Sequence, residues 1–176
     1  RIAFVINNYP PRVGGLESHV SHLAGTWPEG VEVEVHTLTD GAPGRSVEDG
    51  ITVHRWREAF QIGGLLGFPT PAAALGIARA LEGADLVSVH TRFFPLTWLG
   101  TAAARHWRIP VIHTEHGSGF VATSSPVMFL GSRAVEQSSR RRPRRSAKSG
   151  TRTIGRSGFT KLKNISEIRH YFRDVQ

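Results

Sequence analysis

Residues 1–27, RIAFVINNYPPRVGGLESHVSHLAGTW, decide the fold, because they join an apolar run, a loop with two adjacent glycines and a segment with helical periodicity. The continuous apolar run within residues 1–7 is typical of a strand that is buried on both faces of a sheet. Apolar residues then recur at helical spacing over residues 16–27, and Pro28 ends the pattern. The stretch therefore predicts a strand, a turn and a helix.

The same alternation continues as far as residue 114. Further strands are predicted at residues 31–38, 51–56, 85–90 and 110–114, and further helices at residues 71–82 and 95–107. Thr70 is the expected N-cap of the helix that Gly83 closes, and residues 57–69 are expected to form a loop with two glycine-rich bends. This order implies an α/β, Rossmann-like fold in which helices cover both faces of a mainly parallel sheet.

The net charge of +8 is concentrated in the last quarter of the 176-residue chain. Residues 1–132 hold nine Lys and Arg against eleven Asp and Glu, a net −2, whereas residues 133–176 hold thirteen against three, a net +10. We therefore expect an incomplete Rossmann-like domain at residues 1–132, followed by an irregular basic tail that is largely disordered or of another origin. The run RRRPRR at residues 140–145 keeps an alternative open, in which the tail binds nucleic acid or an anionic surface.

Several classes of site are excluded by what the sequence lacks. It contains no cysteine, which excludes disulfides, thiolate metal sites and cysteine nucleophiles. No apolar run approaches the roughly 20 residues of a membrane-spanning helix. Neither the dinucleotide fingerprint G-x-G-x-x-G nor the Gly-Lys-Ser/Thr end of a phosphate-binding loop occurs, so neither a nicotinamide cofactor nor a phosphate-loop nucleotide is expected.

Three loops follow predicted strands and so lie at the carboxyl edge of the sheet, where ligands bind in open α/β folds. Gly14 and Gly15 stand directly before the first helix, where unpaired N–H groups and the helix dipole favour an anion. A plain turn that needs positive φ is the alternative interpretation of the two glycines. Arg92, in the second loop, is either a partner for an anion or a solvated surface arginine.

The third loop, in the segment HTEHG at residues 113–117, holds the most chemically suggestive group. Because side chains alternate along a strand, His113 and Glu115 are expected to point one way and His116 the other. This makes a metal pair of His113 and His116 awkward, and no metal is predicted. His116 suits contact with a polar substrate, and a hydrogen-bonded structural histidine is the alternative. No role is assigned to His36 or His54, which lie in strands away from that edge.

Residues 1–20, 84–100 (ADLVSVHTRFFPLTWLG) and 109–120 (IPVIHTEHGSGF) resemble the N-terminal half of the GT-B glycosyltransferases of family 4. The combination of Pro-x-x-Gly-Gly-x-Glu-x-His and the later Glu-His-Gly carries the resemblance. It implies the acceptor-binding half of a retaining enzyme that transfers a sugar from a nucleotide-sugar to an acceptor. The nucleotide-sugar would be a co-substrate, and no cofactor or metal would be required.

The resemblance also implies roles for particular residues. Gly14 and Gly15 would approach the diphosphate of the donor, and His116 would be the catalytic group near the transferred sugar. The remaining substrate-binding candidates are Arg12, His19 and Arg92.

The family's second domain carries a Glu-x7-Glu segment, which does not occur in this sequence. The chain is therefore expected to be truncated and weak or inactive alone. The resemblance further implies a cytoplasmic protein that acts on a small-molecule or lipid-linked acceptor. Residues 60–68 (FQIGGLLGF) offer an option for peripheral contact with the inner membrane face, although packing on the core is the favoured interpretation. Nucleic acid is not expected as a partner of the folded domain.

Overall fold

The computed structural model describes residues 1–12, 14–63 and 66–116 and the strand at 151–153. The strands are β1 Ile2–Val5, β2 Val33–Thr39, β3 Gly44–Glu48, β4 Ile51–Ile62, β5 Leu66–Pro69, β6 Leu86–His90, β7 Val111–Thr114 and β8 Thr151–Thr153. The helices are α1 Gly15–Gly25, α2 Pro71–Ala80 and α3 Pro95–His106.

The main sheet has the strand order β3-β4-β2-β1-β6-β7-β8. All neighbouring pairs in it are parallel except β3 with β4, and β5 pairs antiparallel with β4 off this path. The chain moves outward from β1 to β2 on one side and later to β6 on the other, so the strand order reverses at β1. In such sheets the crevice at the carboxyl ends of the strands on either side of this point is the place for a ligand.

The core has two halves, one on each face of the sheet. Ile2, Phe4 and Val35 pack with the buried side of α1, whereas Ala3 and Val5 pack with buried residues of α2 and α3. All four residues of β1 are buried, as its unbroken apolar run predicts. The α/β, Rossmann-like fold with helices on both faces of a mainly parallel sheet is confirmed.

The prediction of a loop at residues 57–69 is wrong, because two strands occupy most of this segment. β4 continues to Ile62 and β5 returns beside it, so that the two strands form a hairpin beyond the carboxyl end of β2. Gly63 adopts a φ of +62° after β4, and the Phe60 and Phe68 rings stack 4.8 Å apart across the two strands. The turn at Gly63 and the cross-strand aromatic pair explain why residues 57–69 form a hairpin and not the predicted loop.

The antiparallel strand β3 is absent from the sequence-based prediction, although a signal for it exists. Two residues, Asp49 and Gly50, connect β3 to β4, with φ values of +49° and +79°. Asp-Gly with two positive φ values is the pattern of a tight β-hairpin turn.

The helix prediction around Thr70 is confirmed, since its hydroxyl accepts a 3.2 Å hydrogen bond from the N–H of Ala73 and Gly83 has a φ of +76° after the helix. β8 lies within the basic segment and pairs in parallel with β7. The other residues of 133–176, including the run at 140–145, lie outside the described residues, so the domain boundary at 132 stays a prediction. Among the described residues, no helix is both long and apolar enough to span a membrane.

Candidate functional site

The glycine loop joins β1 to α1 at the carboxyl edge of the sheet. Gly14 is the N-cap of α1, with extended backbone (φ −167°, ψ 167°), and no side-chain hydrogen bond caps the helix within the described residues. Neither Gly14 nor Gly15 is among the glycines with positive φ, so a turn that needs positive φ does not account for the pair. The first N–H groups of α1 and its positive dipole end therefore face this edge.

The two glycines differ in what surrounds them. A Cβ atom at Gly14 would collide with the carboxylate of Glu17, whereas a Cβ atom at Gly15 would have none of the described residues within 4 Å. Glu17 thus covers one side of the helix start with its own negative charge, while no described residue covers the backbone at Gly15. An anionic ligand would approach from the side of Gly15.

Asn7 anchors the loop to its surroundings and was missed by sequence reasoning. Its side chain is fully buried, donates a 2.9 Å hydrogen bond to the carbonyl of Gly67 and accepts a 3.2 Å hydrogen bond from the N–H of Leu96. Its backbone carbonyl accepts from the hydroxyl of Thr37 and the N–H of Leu38, each at 3.2 Å. Asn7 therefore links the end of β1 to β2, β5 and the first turn of α3.

Arg12 is held by carboxylates of neighbouring elements. Its guanidinium donates to Oδ1 of Asn8 at 3.0 Å and lies 3.3 Å from Oε2 of Glu58 and 3.1 Å from Oδ1 of Asp40. A backbone hydrogen bond within Asp40 and then Arg12 keep the pKa of Asp40 below its usual value. Because the Glu58 side chain is only 3% exposed, Arg12 neutralises a buried charge and ties the glycine loop to β4.

Three histidines from three elements meet at this edge. The ring of His116, after β7, lies 4.9 Å from that of His19 on α1 and 5.2 Å from that of His90 at the end of β6. Nε2 of His116 is 3.0 Å from Nδ1 of His90, whose Nε2 lies 3.1 Å from Oγ of Ser88. The structure thus places His116 beside the helix that the two glycines begin.

His90 is a neutral group inside this cluster. Its side chain is completely buried, and burial, followed by the neighbouring charges of His116 and His19, lowers its pKa to about 3. The next residue, Thr91, has a left-handed φ of +60°, a conformation that is costly for a β-branched side chain. Thr97 stabilises this segment by donating from its hydroxyl to the carbonyls of His90 and Thr91 at 2.6 and 2.9 Å.

The expected alternation of side chains after β7 agrees with the contacts. Nε2 of His113 lies 3.7 Å from Oε2 of Glu115, whereas His116 contacts His90 and His19. Burial lowers the pKa of His113. Arg92 also lies against Glu115, with its backbone N–H 3.4 Å and its Nε 4.0 Å from the same carboxylate oxygen.

A second cluster, Glu34, His36 and His54, lies on the face of β2 and β4 that α2 and α3 cover. One ligand atom from each residue falls within 4.8 Å of the other two, and the His36 and His54 rings stack 4.7 Å apart. The sequence carries a signal for this cluster, since VEVEVH and ITVHRW each place polar side chains on alternate positions. The aligned strands bring His36 beside His54.

The contacts already made within this second cluster compete with a metal ion. The indole N–H of Trp56 donates to Nδ1 of His36 at 3.2 Å, so the lone pair of that nitrogen is occupied, and Nε2 of His36 lies 3.3 Å from Glu34. The Arg1 guanidinium also contacts Glu34, at 3.2 Å. Although burial opposes it, the contacts with His36, Arg1 and His54 lower the pKa of Glu34. Within the cluster, Glu34 is ion-paired with Arg1 and lies beside the two stacked histidine rings.

The family described as Glycosyltransferase Family 4 matches residues 13–161, a range that runs from the glycine loop past the histidine cluster into the basic segment. A protein of Methanocaldococcus jannaschii, described as an uncharacterized glycosyltransferase, is 30% identical over 129 residues. The similarity covers 66% of this chain and 32% of that protein, so the chain spans about a third of the length of this curated relative.

Proposed function

We propose that this chain, which belongs to glycosyltransferase family 4, is the acceptor-binding half of a retaining GT-B enzyme that transfers a sugar from a nucleotide-sugar to an acceptor. The observation that carries the proposal is the contact between His19 of α1 and His116, 4.9 Å between ring centres. Through this contact the backbone at Gly15 and the side chain of His116 lie at the same carboxyl edge of the sheet, where the strand order reverses.

At this carboxyl edge we propose electrostatic stabilisation of the leaving nucleoside diphosphate. As the nucleoside diphosphate leaves, negative charge develops on it, and preorganised N–H groups stabilise such charge without having to reorient. The start of α1 offers N–H groups beside Gly15, where free space lets a phosphate reach the backbone. Because the helix terminus and protein cations provide this stabilisation, we propose that the reaction needs no metal or resident cofactor.

His116 is proposed to contact the transferred sugar, because its imidazole can donate or accept a hydrogen bond. His19, on the exposed face of α1 beside it, is proposed to contact the acceptor. Arg12 and Arg92, held by Glu58 and Glu115, are proposed to orient charged groups of the substrates. The groups that grip the nucleotide are proposed to come from a second domain, so that this chain alone is weak or inactive.

We further propose that the protein is cytoplasmic and touches the membrane surface to reach a lipid-linked acceptor, and the exposed apolar side chains of one hairpin support this. On the hairpin of β4 and β5, Phe60 is 57% exposed and Ile62 is 37% exposed. This hairpin extends past the carboxyl end of β2, and Asn7 ties it to the loop that follows β1. Apolar side chains at this position suit an acceptor with an apolar portion.

The test is a transfer assay on the gene product that carries this chain, with panels of nucleotide-sugars and acceptors and with nucleoside diphosphate release as the readout. Gly15→Val fills the open space at the helix start without an internal clash, and we expect it to abolish most transfer, as His116→Ala should. Gly25→Val is the matched control, because a Cβ atom at Gly25 also has none of the described residues within 4 Å and Gly25 lies at the other end of α1. Equal activity of Gly15→Val and Gly25→Val would contradict the proposal, as would a lack of transfer with every donor by a gene product that supplies the second domain.

A further inference from the structure

Three side chains are joined by consecutive hydrogen bonds that lead from the protein interior to the carboxyl edge of the sheet. Oγ of Ser88 lies 3.1 Å from Nε2 of His90, and Nδ1 of His90 lies 3.0 Å from Nε2 of His116. Ser88 and His90 are both fully buried, whereas His116 is partly exposed. The chain therefore connects a partly exposed imidazole to groups that water does not reach.

The inner histidine has only one ring proton to share. Burial keeps His90 neutral across the physiological range, so that one of its nitrogens is a donor and the other an acceptor. If the proton is on Nδ1, His90 donates to Nε2 of His116, and neutral His116 carries its own proton on Nδ1. If the proton is on Nε2, His90 donates to Ser88 and accepts from Nε2 of His116. In both arrangements the tautomer of neutral His116 follows from that of His90.

The position of His90 is itself fixed by several contacts. Its ring stacks on Phe4 with centres 5.9 Å apart, and its carbonyl accepts a 2.6 Å hydrogen bond from the hydroxyl of Thr97. A rigid partner can hold a second imidazole in one orientation and one protonation pattern, as supporting groups do for the histidines of metal sites. Ser88, at the far end, can donate to His90 in the first arrangement and accept from it in the second.

We infer that His90 is a positioning residue that engages Nε2 of His116 and fixes its tautomer, and with it the hydrogen-bonding pattern of the imidazole that we propose contacts the sugar. This inference rests on the proposed role of His116 at the transferred sugar. It assigns His90 no contact with substrate. A merely structural histidine would keep the fold without governing the protonation pattern of its neighbour.

The test uses nuclear magnetic resonance of the full chain with ¹⁵N-labelled histidine, which needs no substrate. We expect a scalar coupling between Nδ1 of His90 and Nε2 of His116 across their hydrogen bond, and a single tautomer for neutral His116. His116→Ala assigns the signals. Failure to observe the coupling in the folded wild-type chain would overturn the inference.

Two substitutions of similar polarity then separate positioning from folding. The side-chain amide of His90→Asn lies near the former Nδ1, so we expect it to preserve the single tautomer of His116. That of His90→Gln lies near the former Nε2, so we expect mixed tautomers and about a tenfold fall in transfer rate, the effect of one lost hydrogen bond. An unchanged His116 spectrum in His90→Gln would also overturn the inference. If the coupling and the Asn–Gln difference are present but a gene product that supplies the second domain transfers no sugar, the positioning inference stands and the proposed function fails.

Discussion

Replacement of His90 by a residue that does not titrate should flatten the pH dependence of stability. In the folded protein burial lowers the pKa of His90 to about 3, against an ordinary value of 6.5 in the unfolded chain. The folded pKa is the lower of the two, so the unfolded chain binds the proton more readily. The contribution of neutral His90 to the free energy of unfolding is therefore complete above pH 6.5 and is lost progressively as the pH falls towards 3.

The size of the effect follows from this difference. Between pH 7 and pH 5 the unfolded state takes up most of a proton on His90 that the folded state still refuses. Since one pH unit corresponds to 1.36 kcal/mol, the wild-type chain should lose about 2 kcal/mol of unfolding free energy over this interval through His90. His54 and His113, whose pKa values burial also lowers, add to the same trend.

Urea denaturation at pH 7 and pH 5 measures this contribution in a comparison of the wild-type chain with His90→Asn. The difference between the two pH dependences measures the contribution of His90 together with its coupling to His116, His19 and His113. His22→Asn, an exposed substitution one turn along α1 from His19, is the matched control. If His90→Asn loses as much stability between pH 7 and pH 5 as the wild type, the buried neutral state of His90 is wrong.

Two further substitutions probe the scaffold by thermal and urea unfolding. Asn7→Ala leaves the carbonyl of Gly67 and the N–H of Leu96 without their side-chain partner and should cost about 2–3 kcal/mol. A loss below 0.5 kcal/mol, near the lower bound for a single hydrogen bond, would show that water replaces both bonds. Gly100→Ala places a Cβ atom 3.0 Å from Cγ1 of Val5 and should cost about 1–3 kcal/mol through overpacking. A Gly100→Ala chain as stable as wild type would mean that α3 shifts without penalty.

The parts of the fold that could be predicted are those whose signals are local. The apolar run of β1, the periodicity of α1 and the Thr70 cap each lie within one short stretch, and the structure contains all three. The hairpin of β4 and β5 needed knowledge of cross-strand pairing, such as the stacked Phe60 and Phe68, that no single stretch displays. β3 is the exception, since Asp49-Gly50 was a local turn signal that went unused.

The candidate site divides in the same way. The edge at which Gly14, Gly15 and His116 lie follows from strand order alone, because the carboxyl ends of parallel strands share an edge. The partners of each side chain do not follow from it. The substrate role of Arg12 stays a prediction, and its contact with buried Glu58 depends on the length of β4, which no short stretch of sequence indicates.

The histidine cluster is a consequence of topology combined with the two-residue period of strands. Ser88 and His90 share a face of β6 because they are two residues apart, and that face is the one α1 covers. β6 lies between β1 and β7, so a side chain that follows β7 and one that projects from α1 both reach the end of β6. Polar groups in so apolar a setting keep their stability only while each bonds to the next. Because His90 is held in place by its hydrogen bonds to Ser88 and His116, it is both costly to replace and able to orient His116.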